Sequence, residues 1–253
     1  MPKITLLQKI YGSNKPEDFQ EAFNELFKQL KVKTEICGVT PRGWLQIKLS
    51  GEDQKFALNY LQKHFGLCPE KLENLTKFST IRGRITHLGK SKTQLRVDIG
   101  IFKPKNIDAV VPLQNLQAQL LDGKKFALQK IIELFGLAEN FPLTVEICGA
   151  AQENGTISAV LSEQQISTFS NWTETLLDKL LVFGASLPAV EYAVKKSGYA
   201  RNVVEIETLG FLEHAVTCKL GTQAVGLIPK MGKLLPAALL TVFSPTKIIK
   251  LRG

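Results

Sequence analysis

The chain reads as an α+β protein, a central β-barrel flanked by two small α+β domains with antiparallel sheets, on three observations. First, residues 3–66 and 163–253 mix alternating strands with amphipathic helices, while residues 78–163 run three strands, a helical segment and two strands. Second, 253 residues that are 44% hydrophobic suffice for two or three domains with real cores. Third, short phrases recur. "TEICG" at 34–38 returns inside "TVEICG" at 144–149, each followed by a second strand, and the span from Leu88 to Gly100 matches that from Leu209 to Gly221. The offsets, Glu35 to Glu146 and Leu88 to Leu209, are close but unequal. A decayed internal duplication accounts for this; a local likeness between hairpins is the alternative. The expected domains are 1–76, 77–163 and 164–253.

In the first domain, "KITLLQKIY" predicts a strand. Phe19, Phe23, Leu26, Phe27 and Leu30 then fall at helical spacing, so 16–31 is an amphipathic helix with its aromatics in the core. A hairpin follows, "VKTEICG" and "WLQIKLS" around "VTPRG". Ser50 is a candidate cap for a second helix that Gly66 closes. The third domain reads helix 163–179, strand "LLVFGA", helix "PAVEYAVKKSG", strands "NVVEIETLG" and "EHAVTCKLG", a short strand "QAVGLIP" and an apolar tail.

In the middle domain, "FSTIRGRITHL" and "TQLRVDIGI" form a hairpin around "GKSK". Arg82, Arg84 and Thr86 share one face of the first strand; Gln94, Arg96 and Asp98 share one face of the second. "DAVVPLQNL" adds a third strand, 114–135 is mostly helical, and "FPLTVEICG" and "GTISAVLS" end the unit. Three strands, a helix and two strands is the order of an OB-fold barrel. In "RGRITHLG", "LRVDIG", "AVVPLQNL" and "GTISAVLS" the segment 78–163 resembles the ribosomal-protein-S-one type of OB fold. That resemblance implies RNA binding through the second and third strands and the flanking loops. The sequence departs from that family in one respect: base-stacking aromatics are nearly missing, with Phe78, Phe102 and His87 the candidates, which leaves charge as the stronger argument.

The charge is +9 and unevenly placed. Residues 77–130 hold eleven Lys and Arg against three Asp, residues 214–253 hold six and no acid, and residues 142–213 hold four against nine acids. Such segregation points to a polyanionic partner. The expected nucleic-acid-binding set is Arg82, Arg84, His87, Lys90, Lys92, Arg96, Phe102, Lys103 and Lys105. Lys219, Lys230 and Lys233 form a secondary basic surface, which Lys247, Lys250 and Arg252 extend.

Catalytic signatures fail one by one. "GLIPKMGKL" is no phosphate loop, because Leu227 and Leu234 stand where Gly and Ser or Thr are required. His214 and Cys218, or Asp98 with Asp108 and Glu205 with Glu207, fit structural roles better than a dyad or an acid–base pair. Cys37, Cys68, Cys148 and Cys218 make no C-x-x-C pair and, with His64, His87 and His214, no metal-ligand spacing. The longest apolar run, "LLPAALLTVF", falls well short of the ~20 residues of a membrane span, and "MPKITLLQKIYG" has no signal-peptide pattern, so a cytoplasmic protein without cofactor or metal is expected.

As a whole, and particularly in "FLEHAVTCKLGTQAVGLIPKMGKLL", the chain resembles an uncharacterised conserved archaeal protein family, a domain of unknown function. The resemblance implies an archaeal cytoplasmic protein and assigns no activity. The expected function is a non-enzymatic factor that binds single-stranded or structured RNA, or a ribonucleoprotein, in translation, transcription or RNA processing. The alternative is a protein–protein adaptor whose basic face docks an acidic partner.

Overall fold

The structure, a computed structural model, describes residues 3–12, 14–151 and 155–252. The first domain comprises β1 (Ile4–Lys9), α1 (Pro16–Leu26), β2 (Val32–Val39), β3 (Trp44–Gly51), α2 (Gln54–His64) and the short β4 (Glu70–Lys71). Its antiparallel sheet has the order β1-β3-β2. Leu67 bridges Leu6 on the free edge of β1, a vestigial fourth strand. Ser50 lies in β3 and caps nothing; Asp53 precedes α2, and its carboxylate accepts the Lys31 N–H at 2.7 Å. At the other end the Gly66 N–H returns to Leu61 and Gln62 with φ +78°, a conformation favouring glycine.

The middle domain is a closed five-stranded barrel. Its strands are β5 (Thr80–Thr86), β6 (Gln94–Lys103), β7 (Ile107–Pro112), β8 (Pro142–Ala151) and β9 (Thr156–Leu161), with α3 (Leu113–Leu121) and α4 (Leu128–Leu134) between the third and fourth. β5 pairs with β6 and β8, β6 with β7, and β8 with β9, all antiparallel; the parallel β7–β9 pair closes the ring. This is the OB connectivity expected from the strand order. Alternation sends Ile81, Ile85, Val97, Ile99, Val111 and Val145 inward, all buried, and Arg82, Arg84, Arg96 and Asp98 outward. Gly83 also faces inward, where a Cβ would come within 2.6 Å of the Asp98 carbonyl and of Val97.

After the barrel comes α5 (Glu163–Glu174), capped by Ser162, whose hydroxyl accepts the Gln165 N–H at 3.2 Å. Its Phe169 and Trp172 pack with Phe135 and Phe141 of the barrel domain and with Phe243 of the third. That domain comprises β10 (Lys179–Phe183), α6 (Leu187–Lys196), β11 (Val203–Thr208), β12 (Glu213–Cys218), α7 (Ile228–Leu234) and β13 (Leu239–Phe243), followed by α8 (Pro245–Arg252). The expected strand "QAVGLIP" is instead a 3-10 turn, Ala224–Leu227, running into α7. Pro229 suits a first helical turn, and Leu227, Met231 and Leu235 bury one face at four-residue spacing. The sheet order β11-β12-β10-β13 with β-α-β-β-α-β connectivity is the ferredoxin-like arrangement, and the first domain repeats that connectivity.

The repeated phrases fall on different folds. Glu35–Gly38 lies on the sheet edge formed by β2, Glu146–Gly149 in barrel strand β8. What they share is a local device, a break in strand register just after the isoleucine, with Cys37 and Cys148 turned back to the carbonyls of Glu35 and Glu146. Likewise "AVVP" is strand β7, whereas "GLIP" begins a helix. The fold-level likeness lies between the first and third domains.

Both flanking sheets cover one face with their own helices and press the other toward the barrel. In β10, Leu180 and Val182 meet α6 and α7, while Leu181 and Phe183 join the barrel's core cluster with Ala215 and Phe243. In the first domain, Leu6, Leu45 and Ile47 meet Phe19, Phe23 and Leu61, while Leu7 and Trp44 join the barrel cluster. Strands buried on both faces read as continuous apolar runs, as "LLVF" does.

Three domains meet at one buried ion pair. Arg84, 1% exposed on β5, places Nη1 2.7 Å from Glu213 Oε2 on β12 and donates from Nη2 to Gln8 Oε1 on β1 at 2.8 Å. Tyr11 donates its hydroxyl to Glu213 Oε1 at 2.5 Å. Burial, reinforced by the carboxylate, pushes the Tyr11 phenol far above its ordinary value. A Cβ at Gly210 would overlap the Glu213 carboxylate. Gly210→Ala is therefore expected to displace Glu213 and strand Arg84, a loss of about 3–5 kcal/mol in urea unfolding. Loss of less than about 1 kcal/mol would show that this joint does not hold the domains.

Candidate nucleic-acid interface

The β5–β6 turn is the barrel's first loop. His87 (φ +56°) and Gly89 (φ +84°) bend it. From beneath, the Glu139 carboxylate accepts the N–H groups of His87 at 3.1 Å and Leu88 at 3.0 Å, and Ser91 accepts the Thr93 N–H at 3.2 Å. The backbone is thus fixed while the side chains of His87, Lys90 and Lys92 are exposed. Among the described residues no carboxylate lies within ion-pair distance of either lysine.

Arg96, next on β6, is half-exposed and reaches Asp108 Oδ2 only at 3.8 Å. Beyond it the outer face of β6 and β7 changes sign. Asp98 and Asp108 pair across the two strands and are capped by the first domain. Asp98 Oδ2 lies 2.7 Å from Lys9 and 3.0 Å from Arg42, and Asp108 Oδ1 lies 2.7 Å from Arg42. Trp44 donates its indole N–H to Asp98 Oδ1 at 3.2 Å, with Lys9 4.7 Å above the ring. The pair Asp98 and Asp108 is structural, and it turns the middle of the strand-two and strand-three face into a protein contact.

The remaining expected residues separate. Arg84 cannot touch an external partner, because the neighbouring domains enclose it. The charge pattern of β5 gave no sign of this, since Glu213 lies far along the chain. Arg82, two residues away, is half-buried and bonds the Leu209 carbonyl. Lys103 and Lys105 are exposed at the β6–β7 turn, about 23 Å along β6 from Arg96 at ordinary strand rise. Lys103 is paired with Glu70 at 2.7 Å and sits 5.2 Å from the half-buried Phe102 ring. Burial pushes the Glu70 carboxyl up, but bonds from Lys103 and Thr5 outweigh it and leave it below the usual value. Phe78, 65% exposed with φ +65° and Lys77 4.8 Å above its ring, is the open aromatic beside β5. Of the secondary surface, Lys219, Lys230 and Lys233 are exposed on the third domain, with Lys230 5.0 Å from the Tyr199 ring.

His214 and Cys218 are both fully buried. Burial, then Asp178, raises the Cys218 thiol to about 11, so it is protonated at neutral pH. The His214 Nε2 lies 3.1 Å from the Ala185 carbonyl, which fixes the proton on that nitrogen; Nδ1 has no partner among the described residues. Among the described residues no His, Cys, Asp and Glu cluster fits a metal ion, and no helix is long and apolar enough to cross a membrane.

The chain belongs to the DUF2110 family. The family's N-terminal domain matches residues 3–71, its central domain 76–173 and its C-terminal domain 177–243. No curated protein is detectably similar. Among solved structures, the intact alpha subunit of aIF2 from Pyrococcus abyssi aligns over 67% of this chain and 97% of its own at 8% identity, with a TM-score of 0.26. At that score the superposition is too loose to show a shared arrangement.

Burial holds the His214 imidazole below its ordinary 6.5 in the folded state, against an opposing pull from Glu213. Between the folded and unfolded values the unfolded chain binds the extra proton. The stability is therefore complete above about 6.5 and falls as the pH drops through the folded value. The urea midpoint is expected to fall between about pH 7 and about pH 5, and the fall to be smaller in His214→Gln. Equal slopes in the two proteins would contradict this.

Proposed function

We propose that this DUF2110 protein is a non-enzymatic RNA- or ribonucleoprotein-binding factor of the archaeal cytoplasm, acting in translation, transcription or RNA processing. One observation carries the reading: on a barrel of OB connectivity, the first loop is backbone-locked by Glu139 and presents the exposed side chains of His87, Lys90 and Lys92, with no carboxylate among the described residues within ion-pair distance of either lysine. That loop is where OB folds contact single strands. Exposed lysines suit phosphates, and the fixed backbone spares the cost of ordering the loop itself. Arg96 continues the cationic path onto the barrel. Lys103 and Lys105 belong to a separate patch at the far turn, where half-buried Phe102 offers little stacking surface. Phe78 is the better platform, although it lies at the other end of β5 from the loop.

A protein–protein adaptor is the second reading, favoured by one observation. Lys9 and Arg42 dock on Asp98 and Asp108 of the barrel, so this fold already uses opposite charge to hold protein.

Fluorescence anisotropy with a labelled single-stranded RNA across a salt series separates them. Wild type is expected to bind at micromolar concentration or tighter, with a steep salt slope. Lys90→Glu/Lys92→Glu is expected to weaken binding at least tenfold and to flatten the slope by about 1–1.5, at ~0.7 per phosphate contact. No binding near 50 mM salt by folded wild-type protein would overturn RNA recognition and leave the adaptor.

A further inference from the structure

We propose that Arg82 is the receptor for a phosphate-class oxyanion, in the cleft where the barrel, α5 and the third domain meet. Two guanidinium groups leave the same face of β5, and the joint provides one carboxylate for them. Glu213 is committed to Arg84 and Tyr11. Among the described residues no carboxylate lies within ion-pair distance of Arg82, whose hydrogen-bond partner is the neutral Leu209 carbonyl. Half-buried charges are ordinarily paired, and here the partner is missing.

The surroundings suit an oxyanion. The cleft holds about 210 Å³, and Thr144, Gln164, Thr168 and Thr208 line it with hydroxyl and amide donors that bring no competing charge. Thr144 is the direct cross-strand neighbour of Arg82. One acid, Glu207, lines the wall, but its Oε2 accepts the Trp172 indole N–H at 3.1 Å and lies 3.8 Å from Lys179. A guanidinium is a planar fork matched to phosphate oxygens. Burial, then the neighbouring Arg84, lowers the Arg82 guanidinium to about 10, which leaves it charged at neutral pH. Arg82 also lines a second cleft of about 480 Å³, together with the polar side chains of Gln62, Asn74, Ser79 and Thr80. The site stands apart from the cationic loop, since Arg82 and His87 lie about 17 Å apart along the strand.

Thermal unfolding in inorganic phosphate, against chloride at matched ionic strength, tests this on wild type, Arg82→Met and Thr144→Glu. Wild type is expected to gain a saturable rise in Tm with phosphate and none with chloride. Without phosphate, Arg82→Met is expected to melt no lower than wild type, because it removes an uncompensated charge, and to ignore phosphate. Thr144→Glu supplies an internal carboxylate, so it is expected to melt higher and also to ignore phosphate. A larger response to AMP or to a 5′-phosphorylated RNA trinucleotide identifies an ester as ligand, and an equal response identifies the free ion. The proposal is overturned if wild type and Arg82→Met respond alike to phosphate, or if wild type does not respond. It also fails if Arg82→Met melts lower without phosphate, which would make Arg82 a structural tie to Leu209.

Discussion

The buried Arg84–Glu213 pair is the constraint around which the three domains are arranged. A guanidinium taken out of water is tolerated only with a carboxylate and further acceptors around it, and Arg84 takes these from three places: Glu213 of the third domain, Gln8 of the first and the Asn140 carbonyl of the barrel domain. Tyr11 completes the carboxylate and Gly210 leaves the space for it. Each domain is needed to satisfy a charge that sits on another. Apolar packing gives this joint its area, through Leu7, Trp44, Phe183 and Phe243, but the ion pair gives it register, since a shifted interface would leave a charge buried alone.

The same arrangement decides which surfaces are free to bind. Ferredoxin-like sheets and OB barrels can each present an open β-face. Here the two flanking sheets turn their helix-free faces to the barrel, and Lys9, Arg42 and Trp44 cover the barrel's own strand-two and strand-three face. The surfaces left open are loops and clefts, among them the locked β5–β6 turn and the cleft around Arg82. Both follow from the count of charges at the joints. Lys90 and Lys92, which no carboxylate among the described residues reaches, face solvent, and Arg82, half-buried with no carboxylate among them in ion-pair distance, borders a cleft.

Much of the barrel was legible in the sequence. Alternation in "TIRGRIT" and "LRVDIG", the order of three strands, a helical segment and two strands, and the polar turn between β5 and β6 are local signals, and local signals survive folding. Alternation places Arg82 and Arg84 on one outward face, as the structure does. Outward is not exposed here, because outward from a barrel is inward to a neighbouring domain. The repeated "EICG" predicts a strand and forms one in both places, but in different sheets; four residues encode a bulged strand and not the sheet that receives it. "QAVGLIP" predicts a strand and forms a turn and helix start, because an apolar run with proline suits both and burial of Leu227 and Met231 decides between them.

The sequence by itself determined the composition of each module, the strand order of the barrel, its basic character and the lack of a catalytic motif. These depend on periodicity and on the spacing of neighbouring residues, which the chain states directly. Only the tertiary structure decided which charges are paired. Arg84 meets Glu213 and Lys9 meets Asp98 across long stretches of chain, and no local pattern records a partner that distant. An arginine that lines an open cleft and one that locks a joint look the same in sequence. What separates Arg82 from Arg84 is the position of a single carboxylate, fixed by the docking of a third sheet.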